Sequence, residues 1–413
     1  MTSYYRLAIL FLLVASSPVL MVLTQSPSVA EVAKPQIDQL INDACDSRVV
    51  LLGEDLNHGS GKTIEVKSLL VQRLIDECGF DGVVFESQIY DFLALGEDFA
   101  NHIATREKLA DAIGGLWSTT AELDPLIDIL MQRALDGKVH LMGMDPQLGG
   151  ATQLYSQERL AERLGLASTL PATQSASCGY DIRRLTDWSF DDESPNDEDF
   201  RKRLKHCLED IQAHVPSSDD GNEVERTAVM TRNFLVYLEM REQFQLGEQL
   251  RASEVRDESM YENLAWFRRQ QHDRDKTIVW TATTHAIRKG DSPSSFKSLG
   301  HWIDDAWGSE TFVVGFSAVG GEYGRQRRSP TSLSAMPEDA IESIAFNSGS
   351  GDLVYLNKSS LSSIGSVSGR AIDFSRPSIR NWGQLLDGML IFRTERRPNY
   401  IRPARPQQQR VSS

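Results

Sequence analysis

The chain has 413 residues, a net charge of −15, and 40% hydrophobic and 24% charged residues, with 29 glycines and 15 prolines. That balance excludes collagen-like, coiled-coil, multi-span membrane and wholly disordered chains. At roughly 150 residues per domain the length suits two to three domains or one large α/β unit. The acidic field argues against a nucleic-acid partner, since the basic cluster that stands out is confined to the tail at Arg402, Arg405 and Arg410.

Arg6 precedes an apolar run from Leu7 to Leu23, broken by Ser16, Ser17 and Pro18. A basic start followed by an apolar stretch reads as a signal peptide over residues 1–30, with small residues at Ser28 and Ala30 suited to cleavage. An uncleaved anchor is the alternative, and it would be the chain's one membrane contact. The run is short for a hydrocarbon core about 30 Å thick, and it contains a proline. The chain is therefore expected to be exported, to a periplasm or to the medium. Its four cysteines, Cys45, Cys78, Cys178 and Cys207, would then meet an oxidising compartment. Three pairings are open. Cys45 and Cys78 each precede an expected strand, and parallel neighbouring strands would bring their starting ends close, so Cys45–Cys78 with Cys178–Cys207 is favoured over the other pairings and over free buried thiols.

Ser47–Gly53 and Asp81–Glu86 are short β-branched runs, and Lys138–Asp145 is a third apolar run; all three read as buried strands. Between them, Thr63–Glu77 carries a helical stripe at Val66, Leu69, Leu70, Leu74 and Ile75, and Asp124–Leu135 reads as a helix. The acidic, proline-containing block Asp191–Asp199 reads as a solvated loop, and Glu223–Gln271 as two long helices. Further strands are expected at Thr277–Thr283, Thr311–Ser317 and Gly388–Arg393. Alternating strands and helices predict an α/β fold: a mostly parallel sheet flanked by helices, with an inserted helical subdomain over the strand C-terminal ends. The expected domain covers residues 31–400, with the insertion at about 150–272 and a disordered tail over 401–413.

Two motif fragments carry no chemistry. Gly61-Lys62-Thr63 opens a helix after a strand, but a phosphate-binding loop also needs a glycine where Leu56 stands. Gly365-Ser366-Val367-Ser368-Gly369 has valine where a nucleophile elbow needs serine. What remains lies at strand ends: Glu54 and His58 after the first strand, Glu86 at the second, Asp145 at the third and His285 after the fourth. In a parallel sheet these groups converge at one edge, where α/β proteins bind ligands. A histidine beside a carboxylate can take a proton from water, and a second can stabilise an oxyanion. Alone, each histidine reads more often as a hydrogen-bonded structural residue, and each acid as readily as a helix cap; the convergence favours function.

Several blocks, in order over residues 46–396, carry a resemblance to the erythromycin esterase-like family. They are Gly53-Glu54-Asp55-Leu56-Asn57-His58-Gly59, Glu65-Val66-Lys67, Gly79-Phe80 through Glu86, Trp117 with Glu122, and Gly143-Met144-Asp145-Pro146-Gln147. The later blocks are Arg256, Asp257, Met260 and Asn263; Val279, Trp280 and His285; and Trp382, Asp387, Phe392 and Thr394. The resemblance implies ester or lactone hydrolysis of a small molecule by activated water, with no cofactor and no metal. His58 would be the base, Glu54 and Glu86 its carboxylate partners, and His285 the second histidine. Two departures stand out: the Glu54–His58 spacing is one residue longer than the family's, and Thr283-Thr284 replaces Asn-Ala before His285. With the longer spacing, either the turn bulges or Glu54 loses His58.

Arg256 and Asp257, adjacent on a helix, are expected to point apart and to position substrate or buttress the sheet edge. Arg288 reads as an anion-steadying residue or a solvated one, and Trp117, Trp266 and Trp280 as core. Only one of Glu65 and Lys67 should face the cleft. Glu54, His58, Glu86 and His285 are also acceptable zinc or manganese ligands, so a metal-dependent hydrolase and a non-catalytic exported binding protein stay beside the esterase reading.

Overall fold

The computed structural model describes residues 34–148, 171–186, 197–213, 222–271, 276–289, 296–347 and 351–401. The expected signal segment, residues 149–170 of the insertion and the tail from 402 onward lie outside them. The expected strands form at β1 (Val49–Leu52), β2 (Gly82–Gln88), β3 (His140–Asp145), β4 (Thr277–Trp280) and β5 (Thr311–Tyr323). The chain adds β6 (Thr331–Ser332), β7 (Leu353–Asn357) and the hairpin of β8 (Ser366–Gly369) and β9 (Ser378–Asn381), and the last expected strand forms at β10 (Gly388–Glu395). The main sheet runs β3-β2-β4-β1-β5-β10-β7, with β6 on β5. All its pairings from β3 to β10 are parallel, and β7 closes the edge antiparallel to β10.

Both sheet faces are covered, which is why β1, β2 and β4 are buried at every position. Val50, Leu52, Val83, Phe85 and Ile278 pack against α1 (Lys34–Ala44), α2 (Gly61–Cys78), α4 (Arg106–Ile113) and α5 (Asp124–Leu135), while α3 (Ile89–Ala100) leaves the end of β2. Val49, Leu51, Val84 and Val279 face the other way. That face meets the insertion, which contributes α6 (Ala172–Thr186), α7 (Glu198–Ala213), α8 (Asn222–Gln245) and α9 (Gln249–Gln270). The insertion therefore flanks the sheet as well as reaching its end, and α9, lying on β3, is the part that reaches the strand ends. Asn263 fixes that helix: its Nδ2 donates to Met144 O on β3 at 2.8 Å and to Asn233 Oδ1 on α8 at 2.6 Å. Among the described residues no helix is long and apolar enough to cross a membrane.

Both favoured disulfides form, Cys45–Cys78 and Cys178–Cys207, and they fit an exported protein. The strands that follow Cys45 and Cys78 are nonetheless not neighbours as expected: β4 lies between β1 and β2. Lys276, just before β4, bridges the gap by donating from Nζ to Cys45 O at 2.6 Å and Cys78 O at 3.0 Å. The Gly61-Lys62-Thr63 helix start is also filled. The Glu395 carboxylate accepts from Lys62 N, Thr63 N and Thr63 Oγ1, taking the place an anion would have at that terminus.

Candidate active site

Parallel strands direct their following turns to one edge of the sheet, and there the turns build a cavity of about 440 Å³. His58, Glu86, Asp145, Arg256 and His285 line it, with Trp117 and two arginines, Arg325 and Arg328, that the sequence reading passed over.

The turn after β1 starts at Gly53, where a Cβ would come within 2.6 Å of Thr283 Oγ1, so the first and fourth strand ends can approach closely. Between Glu54 and His58 the chain bulges into a turn, in which His58 N donates to Asp55 O at 2.9 Å. His58 takes a positive φ of 52°, a conformation only sparsely populated by non-glycine residues. Buried Asp55 secures the bulge: its Oδ2 accepts from Asn57 N at 3.0 Å and its Oδ1 from Phe374 N at 2.7 Å. Glu54 therefore keeps His58, with Oε1 2.8 Å from Nδ1.

Glu54 is itself held by two residues from other elements. Trp117 Nε1 donates to its Oε1 at 2.7 Å, and Lys67 Nζ pairs with its Oε2 at 3.2 Å. Burial by itself would raise the Glu54 carboxyl, but Lys67 and His58 outweigh burial and hold it below its ordinary range. Because Glu54 is ionised and can only accept, Nδ1 of His58 donates to it. No described residue bonds Nε2, and the ring lines the cavity. Trp117 is thus more than core: besides bonding Glu54 it meets the His58 ring edge-on at 5.3 Å. Lys67 is the inward member of its pair, since Glu65 turns to Arg396.

The second histidine is built differently. His285 Nδ1 lies 2.8 Å from Asp257 Oδ1, and its Nε2 lies 3.3 Å from Glu86 Oε1. Burial would lower the His285 pKa, but Asp257 and Glu86 together outweigh burial and raise it to about 10. Glu86 is a correction to the sequence reading. It serves His285 and Arg256 rather than bonding His58, and it also accepts from Thr281 Oγ1 at 2.7 Å and Ala282 N at 2.8 Å. Burial works against its charge, but His285 and Arg256 outweigh it and hold Glu86 well below the usual carboxylate range.

Arg256 and Asp257 diverge from α9 yet meet on His285, one at each ring nitrogen. Arg256 also grips Asp145 through Nε at 3.2 Å and Nη2 at 2.6 Å, so its guanidinium occupies the space among Glu86, Asp145 and His285 that a metal cation would need. Among the described residues no group of three or more His, Cys, Asp or Glu side chains is placed to hold a metal ion. Arg288 is not brought to this cavity. It points to the other end of the sheet, where it binds Asp387 at 2.7 Å, Asp304 and Thr311 O, and Asp387 in turn accepts from Val313 N at 2.9 Å.

Arg325 and Arg328 follow β5, and the signal for them was available in the run Gly324-Arg325-Gln326-Arg327-Arg328 immediately after a strand. It was masked because β5 extends to Tyr323, six residues beyond its expected end at Ser317.

The erythromycin esterase family profile matches residues 75–386. The chain belongs to the erythromycin esterase family. The matched stretch contains Glu86, Asp145, Arg256, Asp257 and His285 and begins after Glu54 and His58. Three solved structures share the fold, each at a TM-score of 0.67 over 89% of this chain. They are a Bacillus cereus protein at 16% identity over 93% of its length, a succinoglycan biosynthesis protein at 13% over 92%, and a mutant of the erythromycin esterase EreC in its open conformation at 13% over 95%. No curated protein matches the sequence. Membership of the erythromycin esterase family supports a hydrolase of ester bonds acting on a small molecule.

Proposed function

We infer that the protein is an exported hydrolase that opens an ester or lactone with a water activated at His58. The observation that carries this is the Glu54–His58 pair: an ionised carboxylate on Nδ1 and a free Nε2 in the cavity make His58 a base of fixed tautomer. In the proposed cycle, water attacks the carbonyl carbon while His58 Nε2 takes its proton. The resulting oxyanion lies against Arg256 and protonated His285, held in place by Asp145, Glu86 and Asp257. Collapse breaks the carbon–oxygen bond to the leaving group, and His58 returns its proton to the departing alkoxide, giving a carboxylic acid and an alcohol. The solved EreC relative is an erythromycin esterase, so macrolide lactones belong in the substrate panel beside simpler esters.

The test assays the protein, produced in an oxidising compartment, against aryl esters, lactones and macrolides with EDTA present. Turnover that survives the chelator and vanishes in His58→Ala is the expected result. A folded protein with no turnover above that variant on any of them overturns the reading.

A further inference from the structure

The cavity carries an unusual charge arrangement. Its acids, Glu86 and Asp145, are both engaged by Arg256. The loop after β5 adds Arg325, half-buried, and Arg328, exposed, and neither meets a carboxylate at ion-pair distance among the described residues. The chain as a whole carries −15. A local excess of cations inside an acidic molecule focuses anions into the cleft rather than serving general solubility.

This loop is built and not merely basic. Gly59 and Gly324 lie so close that a Cβ on Gly59 would come within 2.7 Å of the Gly324 backbone, and Gly324 N donates to Gly59 O at 2.9 Å. From the other side Arg397 Nη2 donates to Arg325 O at 2.7 Å and Gln326 O at 2.8 Å, and Tyr400 Oη donates to Gly324 O at 3.1 Å. The Arg325 side chain is tethered through Nε alone, which donates to Asn57 O at 2.8 Å. Its two terminal nitrogens remain to form a fork, and the tether places that fork beside the turn that presents His58. A guanidinium fork matches the two oxygens of a carboxylate or of a phosphate. Burial, then the neighbouring Arg328, disfavour the Arg325 charge, so a bound oxyanion would relieve both.

We propose that Arg325 and Arg328 form an oxyanion-binding subsite, so that the substrate is an ester bearing a second, anionic group, a carboxylate or a phosphate, near the bond that is cut. This rests on the hydrolase reading for the word substrate, while the subsite itself rests on the loop alone.

The experiment separates the two. An aryl hemiglutarate and the neutral aryl butyrate are compared as substrates for the native protein, for Arg325→Gln/Arg328→Gln and for Arg328→Glu. The expected kcat/KM ratio favours the anionic ester by about tenfold or more in the native protein, and falls towards one in both variants and at high salt. Arg328→Glu is the control for folding, since Arg328 is exposed whereas Arg325 supports the His58 turn. An unchanged ratio in both variants, or native preference for the neutral ester, overturns the proposal. If neither ester is turned over, the hydrolase reading takes that failure, and calorimetric titration with glutarate, glycerol phosphate and neutral glutaramide decides the subsite. Binding of either anion but not the amide, lost in both variants, supports it and names the group; no anion binding overturns it.

Discussion

The two histidines of the cleft share one arrangement and differ in one residue. Each has a carboxylate on Nδ1, Glu54 for His58 and Asp257 for His285. Beyond the ring the environments part: His58 Nε2 faces the cavity, while His285 Nε2 meets a second carboxylate, Glu86. That second charge, working with Asp257, overcomes the cost of burial and keeps the proton on His285 up to about pH 10. A carboxylate on one nitrogen makes a base; carboxylates on both make a cation. The same side chain is thereby assigned opposite roles within one cavity.

The largest test of the contrast removes the base. His58→Ala is expected to lower kcat by about 10² to 10⁴-fold with the fold intact by circular dichroism, the range assigned to general base catalysis. A loss under threefold would mean that water is activated elsewhere. Glu54→Gln strikes the same pair from behind and adds a stability effect. It leaves Lys67, fully buried, without its ion pair, at a cost of about 3–5 kcal/mol in denaturant unfolding. Burial already lowers Lys67 to about 8 despite Glu54, so in this variant the ammonium should lose its proton below that pH.

The cationic half is tested by pH. His285 is raised above its unfolded value of 6.5, so its contribution to stability is complete below about pH 6.5 and is lost as pH rises through about 10. The difference in unfolding free energy between the native protein and His285→Gln should therefore shrink across that window. Glu86→Gln should move the His285 ring titration, followed by NMR, downward. A native His285 that titrates near 6.5 would erase the distinction between the two histidines.

Much of this frame was legible because it depends on local chemistry. Short β-branched runs buried on both faces read as strands, and a parallel sheet collects whatever follows their C-terminal ends; that logic alone gathers His58, Glu86, Asp145 and His285 at the cavity, with Glu54 behind His58. Which carboxylate serves which histidine was not legible, because it depends on strand order. With β4 between β1 and β2, Glu86 sits next to the His285 strand, not the His58 strand. The meeting of Arg256 and Asp257 on one ring was hidden for a related reason: residues adjacent on a helix diverge, but the His285 ring reaches both, its Nδ1 donating to Asp257 and its Nε2 lying 3.1 Å from Arg256 Nη1. Arg288 drew attention by its place just after His285, yet the chain turns back there toward the start of β5. Trp117 was missed as a functional residue because an indole's apolar body and its N–H give the same sequence signal.

The smallest expected effect concerns the bulge that keeps the pair together. Asp55 replaces nothing in the chemistry; it holds the turn through Asn57 N and Phe374 N. Burial outweighs those two bonds and raises its pKa from 3.8 to about 6. A carboxyl raised on folding contributes most below its unfolded pKa, so the native protein should lose stability between about pH 4 and pH 6 from this group and hold level above. Asp55→Asn removes the titration while keeping one acceptor oxygen, so its unfolding free energy should be flat from this source over that window and within about 1 kcal/mol of native near neutrality. The activity of this variant then sharpens the comparison of the two histidines. Its amide can cap Phe374 N or Asn57 N but not both in the native manner, so the bulge should loosen and His58 should drift from Glu54. The expected signature is a modest fall in kcat with the His285 titration unmoved. A His285 shift in Asp55→Asn would show instead that the two histidines respond as one coupled unit.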